Sequence, residues 1–350
     1  MFQTALDRAT HFLLRQAEAG FPESCHTMIF PRAAGFSAAN ERQASDLFAR
    51  AVLAGVWLDC AALGPAHEAA AWRAIARREA DYLAQAKLTD RAGGWSYFPD
   101  LPELPPDVDS LAAVQTLFAR VAPDHLPLCL TPTALALQGQ RADGGLTTWL
   151  VAEDDPAALR ERMQFAIGAF WGDSVDVDVC ARFYLSLWLV DNVRYGEQAR
   201  QGAAFILSQQ QADGCWPASW YWGRLYSSCL CLELLAALKT GEEAQRQALA
   251  GIAAQQRPDG GWGVWQSTPL DTAVALWVLG RWGSSAHRAQ WQPAAARLLD
   301  WQGHDGRWVG TPWIKMEIGR AQGQVGRTAT YQSDTLTTAF CLRALRQMEQ

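Results

Sequence analysis

Gln210-Gln211-Ala212-Asp213-Gly214-Cys215-Trp216 returns as Gln256-Arg257-Pro258-Asp259-Gly260-Gly261-Trp262 and again as Gln302-Gly303-His304-Asp305-Gly306-Arg307-Trp308. Each copy reads Q-x3-G-x-W, and the spacing between copies is 46 residues. A fixed period of that length marks a supersecondary unit that stacks on its neighbours. An Asp-Gly or Gly-Gly turn supplies the positive φ that other residues resist. Before the turn lies a helical pattern ending in Gln, as in 203–210. After it comes a short loop and a strongly apolar helix such as Thr272-Ala273-Val274-Ala275-Leu276-Trp277-Val278-Leu279.

Working outward, Thr89 to Trp95 keeps the Gly and Trp but has Thr for Gln, and Gln140 to Leu146 has Leu for Trp. A first copy, 7–62, carries two helical patterns and no turn signature. The repeats then run 7–62, 68–121, 128–193, 196–239, 242–282 and 288–348. In each, the first helix is amphipathic and the second nearly all apolar, so the second belongs inside and the first covers it. Six such pairs predict an all-α chain, an (α/α)6 barrel or toroid, forming a single domain over 1–350. Strand-like alternation is scarce. A chain of 350 residues that is 49% hydrophobic supports one large core. The Pro-rich run 100–106 reads as an ordered loop.

Bulk properties narrow the function. Net charge is −6 with no Lys/Arg stripe, which argues against nucleic acid. Asp7, Arg8, Arg15 and Glu18 interrupt any secretory core, and no apolar run approaches the ~18 residues of a membrane span. The expected location is therefore cytoplasmic. Cys180, Cys229, Cys231 and Cys341 lie in apolar helical patterns and read as buried small hydrophobes. No C-x2-C pair supports a structural zinc finger.

Aligned by hydrophobic rhythm, the apolar helices place Asp46, Asp109, Asp178 and Asp271 at equivalent positions one step before the helix, with Ser227 and Thr337 in the fourth and sixth copies. Simple N-capping accounts for Asp46 and Asp271, a role worth ~1 kcal/mol. Pro106-Asp107-Val108-Asp109-Ser110 and Ser174-Val175-Asp176-Val177-Asp178 each carry one carboxylate more than a cap needs. All inner helices start at one end, so these four acids crowd one mouth of the barrel. Burial and like charge raise a carboxyl pKa by several units, more than a helix N-terminus lowers it. In a dry site one acid of a pair stays protonated and can serve as a general acid.

The Q-x3-G-x-W turns resemble the QW repeats of the squalene–hopene cyclase and class II terpene cyclase superfamily (prenyltransferase and squalene oxidase repeats). Gly93-Gly94-Trp95-Ser96-Tyr97-Phe98 followed by Pro106-Asp107-Val108-Asp109-Ser110 is similar to that superfamily's G-G-W-x-F … P-D-V-D-D-T-A. Here Ser110 replaces the last acid and Leu111 the Thr. The resemblance covers one barrel, roughly 68–348, where those cyclases usually pair two. It implies a terpene cyclase of the intramolecular lyase or isomerase type in isoprenoid biosynthesis. Asp109 would protonate an alkene or epoxide, Asp107 would be its electrostatic partner, and Asp178 with Asp176 would form a second acidic pair. Seventeen Trp suit a cation pathway. Trp95, Tyr97, Phe98, Trp171, Trp220, Tyr221, Trp222 and Tyr226 are the candidate substrate-binding aromatics. Trp216, Trp262 and Trp308 read as packing anchors of the repeat.

No metal ligand set or cofactor is expected, although Mg2+ could assist a diphosphate substrate. The expected partner is a small isoprenoid or lipid, with peripheral membrane contact and a homodimer supplying a second wall as open options. Three other readings stay in view. A non-catalytic isoprenoid- or lipid-binding barrel is one. A zinc protein prenyltransferase-like enzyme is another, because Asp178-Val179-Cys180 resembles that family's D-x-C ligands, with Thr337 where its His would be. An inverting glycoside hydrolase is the third. Arg194-Tyr195-Gly196-Glu197-Gln198 is similar to the thioester motif of complement proteins, but Tyr195 replaces the thiol.

Overall fold

The computed structural model describes residues 2–323 and 325–349. Its helices are α1 (Phe2–Glu18), α2 (Leu47–Leu63), α3 (Ala66–Gln85), α4 (Val108–Val121), α5 (Leu130–Gln138), α6 (Ala157–Ala166), α7 (Val177–Val190), α8 (Gly196–Ser208), α9 (Leu225–Leu238), α10 (Glu242–Ala254), α11 (Pro269–Trp282), α12 (Arg288–Trp301) and α13 (Asp334–Gln347). The inner ring is α2, α4, α7, α9, α11 and α13, and α13 packs back onto α2 to close it. Helices α1, α3, α5, α8, α10 and α12 lie outside. α6 and the π-helical turn Ile167–Trp171 are an insertion within the third pair. The (α/α)6 architecture is as expected.

The repeat signature explains how neighbouring pairs join. Gln210 Nε2 donates to the carbonyl of Gly214 in its own turn and to that of Ala244 in the next outer helix, at 2.8 and 2.7 Å. Gln256 does the same to Gly260 and Gln290, both at 2.9 Å. Gln302 binds Gly306 and reaches Ala5 of α1, which carries the last pair onto the first. The tryptophan indoles of Trp216, Trp262 and Trp308 each donate back to a carbonyl of the preceding outer helix, on Ile206, Ile252 and Leu298. All three are fully buried. A Cβ at Gly214 would sit 2.3 Å from the carbonyl oxygen of Gln247, and the residue has φ +83°. The glycine is therefore required twice, by backbone conformation and by close approach.

The chain is not helix alone. His26–Ile29 (β1) pairs antiparallel with Arg42–Ser45 (β2), and Ile314–Ile318 (β3) with Arg327–Tyr331 (β4). Both hairpins lie in loops that lead into inner helices, where the helical period gives no signal.

One face of the ring carries long connections (19–46, 86–107, 139–176, 209–224, 255–268 and 302–333). The opposite face has short ones, such as 64–65, 191–195 and 239–241. Among the described residues no helix is long and apolar enough to cross a membrane.

Candidate active site

The inner helices begin slightly earlier than the apolar rhythm indicated. Asp46 alone of the four aligned acids precedes its helix, and it makes no capping bond; it pairs with Arg50 at 2.7 Å. Asp109, Asp178 and Asp271 lie inside the first turns of α4, α7 and α11. Ser227 and Thr337 are likewise inside α9 and α13, which start at Leu225 and Asp334. In α11 the cap is Thr268, whose hydroxyl accepts from the Asp271 amide, so Asp271 is not the cap. The offset, two to four positions in every inner helix but α2, arose because polar residues at the helix starts carry no hydrophobic period.

Asp107 caps α4. Its carboxylate accepts from the Ser110 amide at 2.7 Å and the Ser110 hydroxyl at 2.8 Å. Asp109 is the surplus acid. Its Oδ1 accepts from Arg182 Nε at 2.7 Å and its Oδ2 from the Tyr221 hydroxyl at 2.5 Å. The same guanidinium donates to the hydroxyls of Tyr221 and Tyr226 at 3.0 and 2.9 Å. The bridging loops are zipped to the helix start: Val108 N donates to Thr148 O, and Leu150 N to Pro106 O.

Both acids line a pocket of about 440 Å3, space open to solvent included, at the long-loop mouth, with Phe48, Tyr97, Leu104, Thr148, Trp149, Trp220, Tyr221, Ile314 and Met316. Burial pushes Asp107 up to about 7, helped by the charge of Asp109 and opposed by the Ser110 bonds. Burial also raises Asp109, against the pull of Arg182 and Tyr221. The low-dielectric wall thus outweighs the helix terminus, and a carboxyl proton persists around neutral pH.

The second pair sits behind the pocket wall. Asp176 accepts from the Trp220 indole and the Thr148 hydroxyl, each at 2.8 Å, and from Arg320 at 3.1 Å. Arg320 and these donors hold it below the usual carboxylate range despite its burial. Asp178 faces the backbone amides of Ser219 and Trp220, at 2.8 and 3.1 Å. Burial and the charges of Asp176 and Asp109 push it up to about 7. These two acids anchor the loop that presents Trp220 and Tyr221, and neither lines the pocket.

Of the predicted aromatics, Tyr97, Trp220 and Tyr221 line the pocket. Trp95 is fully buried with its indole on Leu83 O, the same job as the repeat tryptophans. Phe98 packs on Phe30 and Tyr97 in the layer beneath. Trp171 is buried with its indole on Glu103 O and packs on Trp149. Trp222 stacks edge-on against the exposed Trp265 at the rim. Tyr226 lies on the far side of Arg182 and lines a second cavity. Sequence reasoning missed Phe48, Leu104, Thr148, Trp149, Ile314, Met316 and Arg182. Arg182 was legible as a lone cation in the apolar pattern of α7; Ile314 and Met316 were not, since they lie on β3.

No group of three His, Cys, Asp or Glu suited to a metal occurs among the described residues. Asp178 is turned to backbone amides, and Cys180 Sγ donates to Leu146 O at 3.7 Å. The D-x-C segment is thereby engaged in structure.

The model of the squalene–hopene cyclase C-terminal domain matches residues 54–292. The chain belongs to this family. Terpentedienyl-diphosphate synthase of Kitasatospora griseola is 33% identical over 98 residues, 27% of this chain and 20% of its own length. Drimenyl diphosphate synthase of Streptomyces showdoensis is 26% identical over 280 residues, 76% of this chain and 45% of its own. The matches therefore span a fifth to less than half of these relatives. The type II terpene cyclase MstE from Scytonema superposes with a TM-score of 0.72 at 20% identity, covering 99% of this chain and 98% of that one. The shared fold thus extends over nearly the whole of both chains.

Proposed function

We propose that this chain is a class II-type terpene cyclase that protonates an isoprenoid and lets the cation cyclise in the aromatic pocket. The observation that carries this reading is the pairing of Asp107 and Asp109 in a wall otherwise made of aromatic, aliphatic and hydroxyl side chains. Such a wall keeps a carboxyl protonated and offers π faces to a carbocation, each worth ~0.5–2 kcal/mol. Asp109 is the proton donor and Asp107 its partner; burial and the charge of Asp176 raise the proton affinity of Asp109, and the charge of Asp109 raises that of Asp107. Tyr97, Trp149, Trp220 and Tyr221 shield the cation. Family membership supports the reading, as does a solved complex of MstE with geranylgeranyl dihydroxybenzoate.

Protonation needs no metal. The pocket-lining residues include no Lys or Arg, so a diphosphate head group would have to stay at the rim, where Mg2+ could assist it. The binding-barrel reading shares the pocket and differs in turnover. The test is incubation with C10 to C30 isoprenoids, with and without diphosphate, in EDTA. A product of unchanged mass and altered retention is expected from the wild type and not from Asp109→Asn, with activity falling at least 100-fold. No conversion of any substrate by folded protein would favour a binding barrel.

A further inference from the structure

Between the pocket and the opposite mouth lies a septum built on one residue. Arg182 is buried in α7, and its guanidinium bonds Asp109, Tyr221 and Tyr226 together. It also lies over the rings of Phe48, Tyr221 and Tyr226 at 5.4 to 5.8 Å. On its other side Arg182 lines a funnel of about 1390 Å3, space open to solvent included, which opens among the C-terminal ends of the inner helices near Asp59, Glu233 and Arg343. The guanidinium therefore faces the funnel on one side and the acid on the other.

We propose that Arg182 is the positioning residue of the acid, fixing the Asp109 carboxyl in the pocket wall and stabilising the carboxylate left when its proton departs. The inference rests on the proposed cyclase reading. In the step, the Asp109 O–H bond breaks and the alkene π pair forms a C–H bond, leaving a carbocation and a carboxylate. Cyclisation ends when a C–H bond of the cation breaks and its proton passes to water, and the carboxylate takes a proton back from water. Negative charge on Asp109 exists only after proton transfer begins, so donors aimed at it act on the transition state more than on the resting acid. Arg182 Nε and the Tyr221 hydroxyl are such donors, one on each carboxyl oxygen.

The charged and titratable groups around Asp109 come from every neighbouring element. Asp107 lies on its own helix start, and Asp176 and Asp178 at the start of α7. Tyr97 and Tyr221 come from loops, Tyr226 and the deeper Glu233 from α9, and α2 supplies the uncharged Phe48. The acids favour a retained proton, and Arg182 opposes them.

Infrared titration of the Asp109 carboxyl C=O band, assigned by its loss in Asp109→Asn, reads this directly. In Arg182→Met the midpoint is expected to rise by about one to three pH units, and in Arg182→Lys by less, because the ammonium keeps the charge and loses only the planar fork that reaches the carboxyl and both hydroxyls. The descending limb of the kcat–pH profile should move with it, while the low-pH plateau falls roughly 10- to 100-fold. An unmoved midpoint in either variant, with an intact thermal melt, overturns the proposal. The infrared readout needs no turnover, so it stands apart from failure of the cyclase reading. If Arg182→Met does not fold, the lysine variant decides.

Discussion

Asp107 and Asp109 differ by two positions and by everything around them: one is held by its own helix start, the other by a cation from the next inner helix. Asp271 provides a simpler case of the same physics. It is buried in the first turn of α11, bonded to the Thr268 hydroxyl, and pushed up to about 6. Between pH 4 and 6 the folded chain keeps a proton on this group that the unfolded chain has released. Its contribution to stability is thus fully present below pH 4 and lost as pH rises through 6. Asp271→Asn keeps an acceptor for Thr268 and removes the titration. Its stability relative to wild type should increase by about 2 kcal/mol from pH 4 to pH 7. Urea unfolding at the two pH values checks this, and a pH-independent difference would contradict it.

At the scale of the element, the turn is the unit that decides whether a helix pair forms. Gly260 has φ +86°, and a Cβ there would lie 2.7 Å from Pro293 O. Gly260→Ala should lower stability by about 3 kcal/mol. Gly168→Ala is the control, since nothing lies within 4 Å of its Cβ position, and it should leave the urea midpoint nearly unchanged. The same element shows what a sequence makes legible. Gln, Gly and Trp at fixed spacing expose the turn because each performs one job with strict geometry. Asp107 and Asp109 were visible for a related reason: two acids where a helix start needs one. Ile314 and Met316 were hidden, since a five-residue strand in a long loop has no period to read. Trp95 and Trp171 read as substrate-binding candidates because aromatic content says nothing about direction; their indoles point into carbonyls of the scaffold.

At the scale of the whole molecule, the ring is held by repeated ties, and Gln302 makes the one that joins α12 to α1. Gln302→Ala and Gln256→Ala each strand two carbonyls and should each cost about 2 kcal/mol. Their local effects should differ. Hydrogen exchange is expected to speed up in α1 for the first and in α12 for the second, because each glutamine binds the following outer helix. Equal loosening of all outer helices would show that the ring opens as one body. The fold was readable at this scale from the period together with the alternation of amphipathic and apolar helices. The septum was not, because Arg182 and Asp109 stand 73 positions apart and meet only when α4 and α7 pack side by side.

The unequal connections on the two faces have a consequence for how such a barrel can change. The short turns carry no pocket residue, while the long ones supply Tyr97, Leu104, Thr148, Trp149, Trp220, Tyr221, Ile314 and Met316. Within each long connection that lines the pocket the repeat turn comes first and the pocket residues follow it, so architecture is written in the opening residues and specificity in the segment after them. A designer or a lineage can exchange loops on one face, graft a longer hairpin, or widen the entrance without disturbing the glutamine and tryptophan ties beneath. The barrel behaves as a socket whose tools are interchangeable.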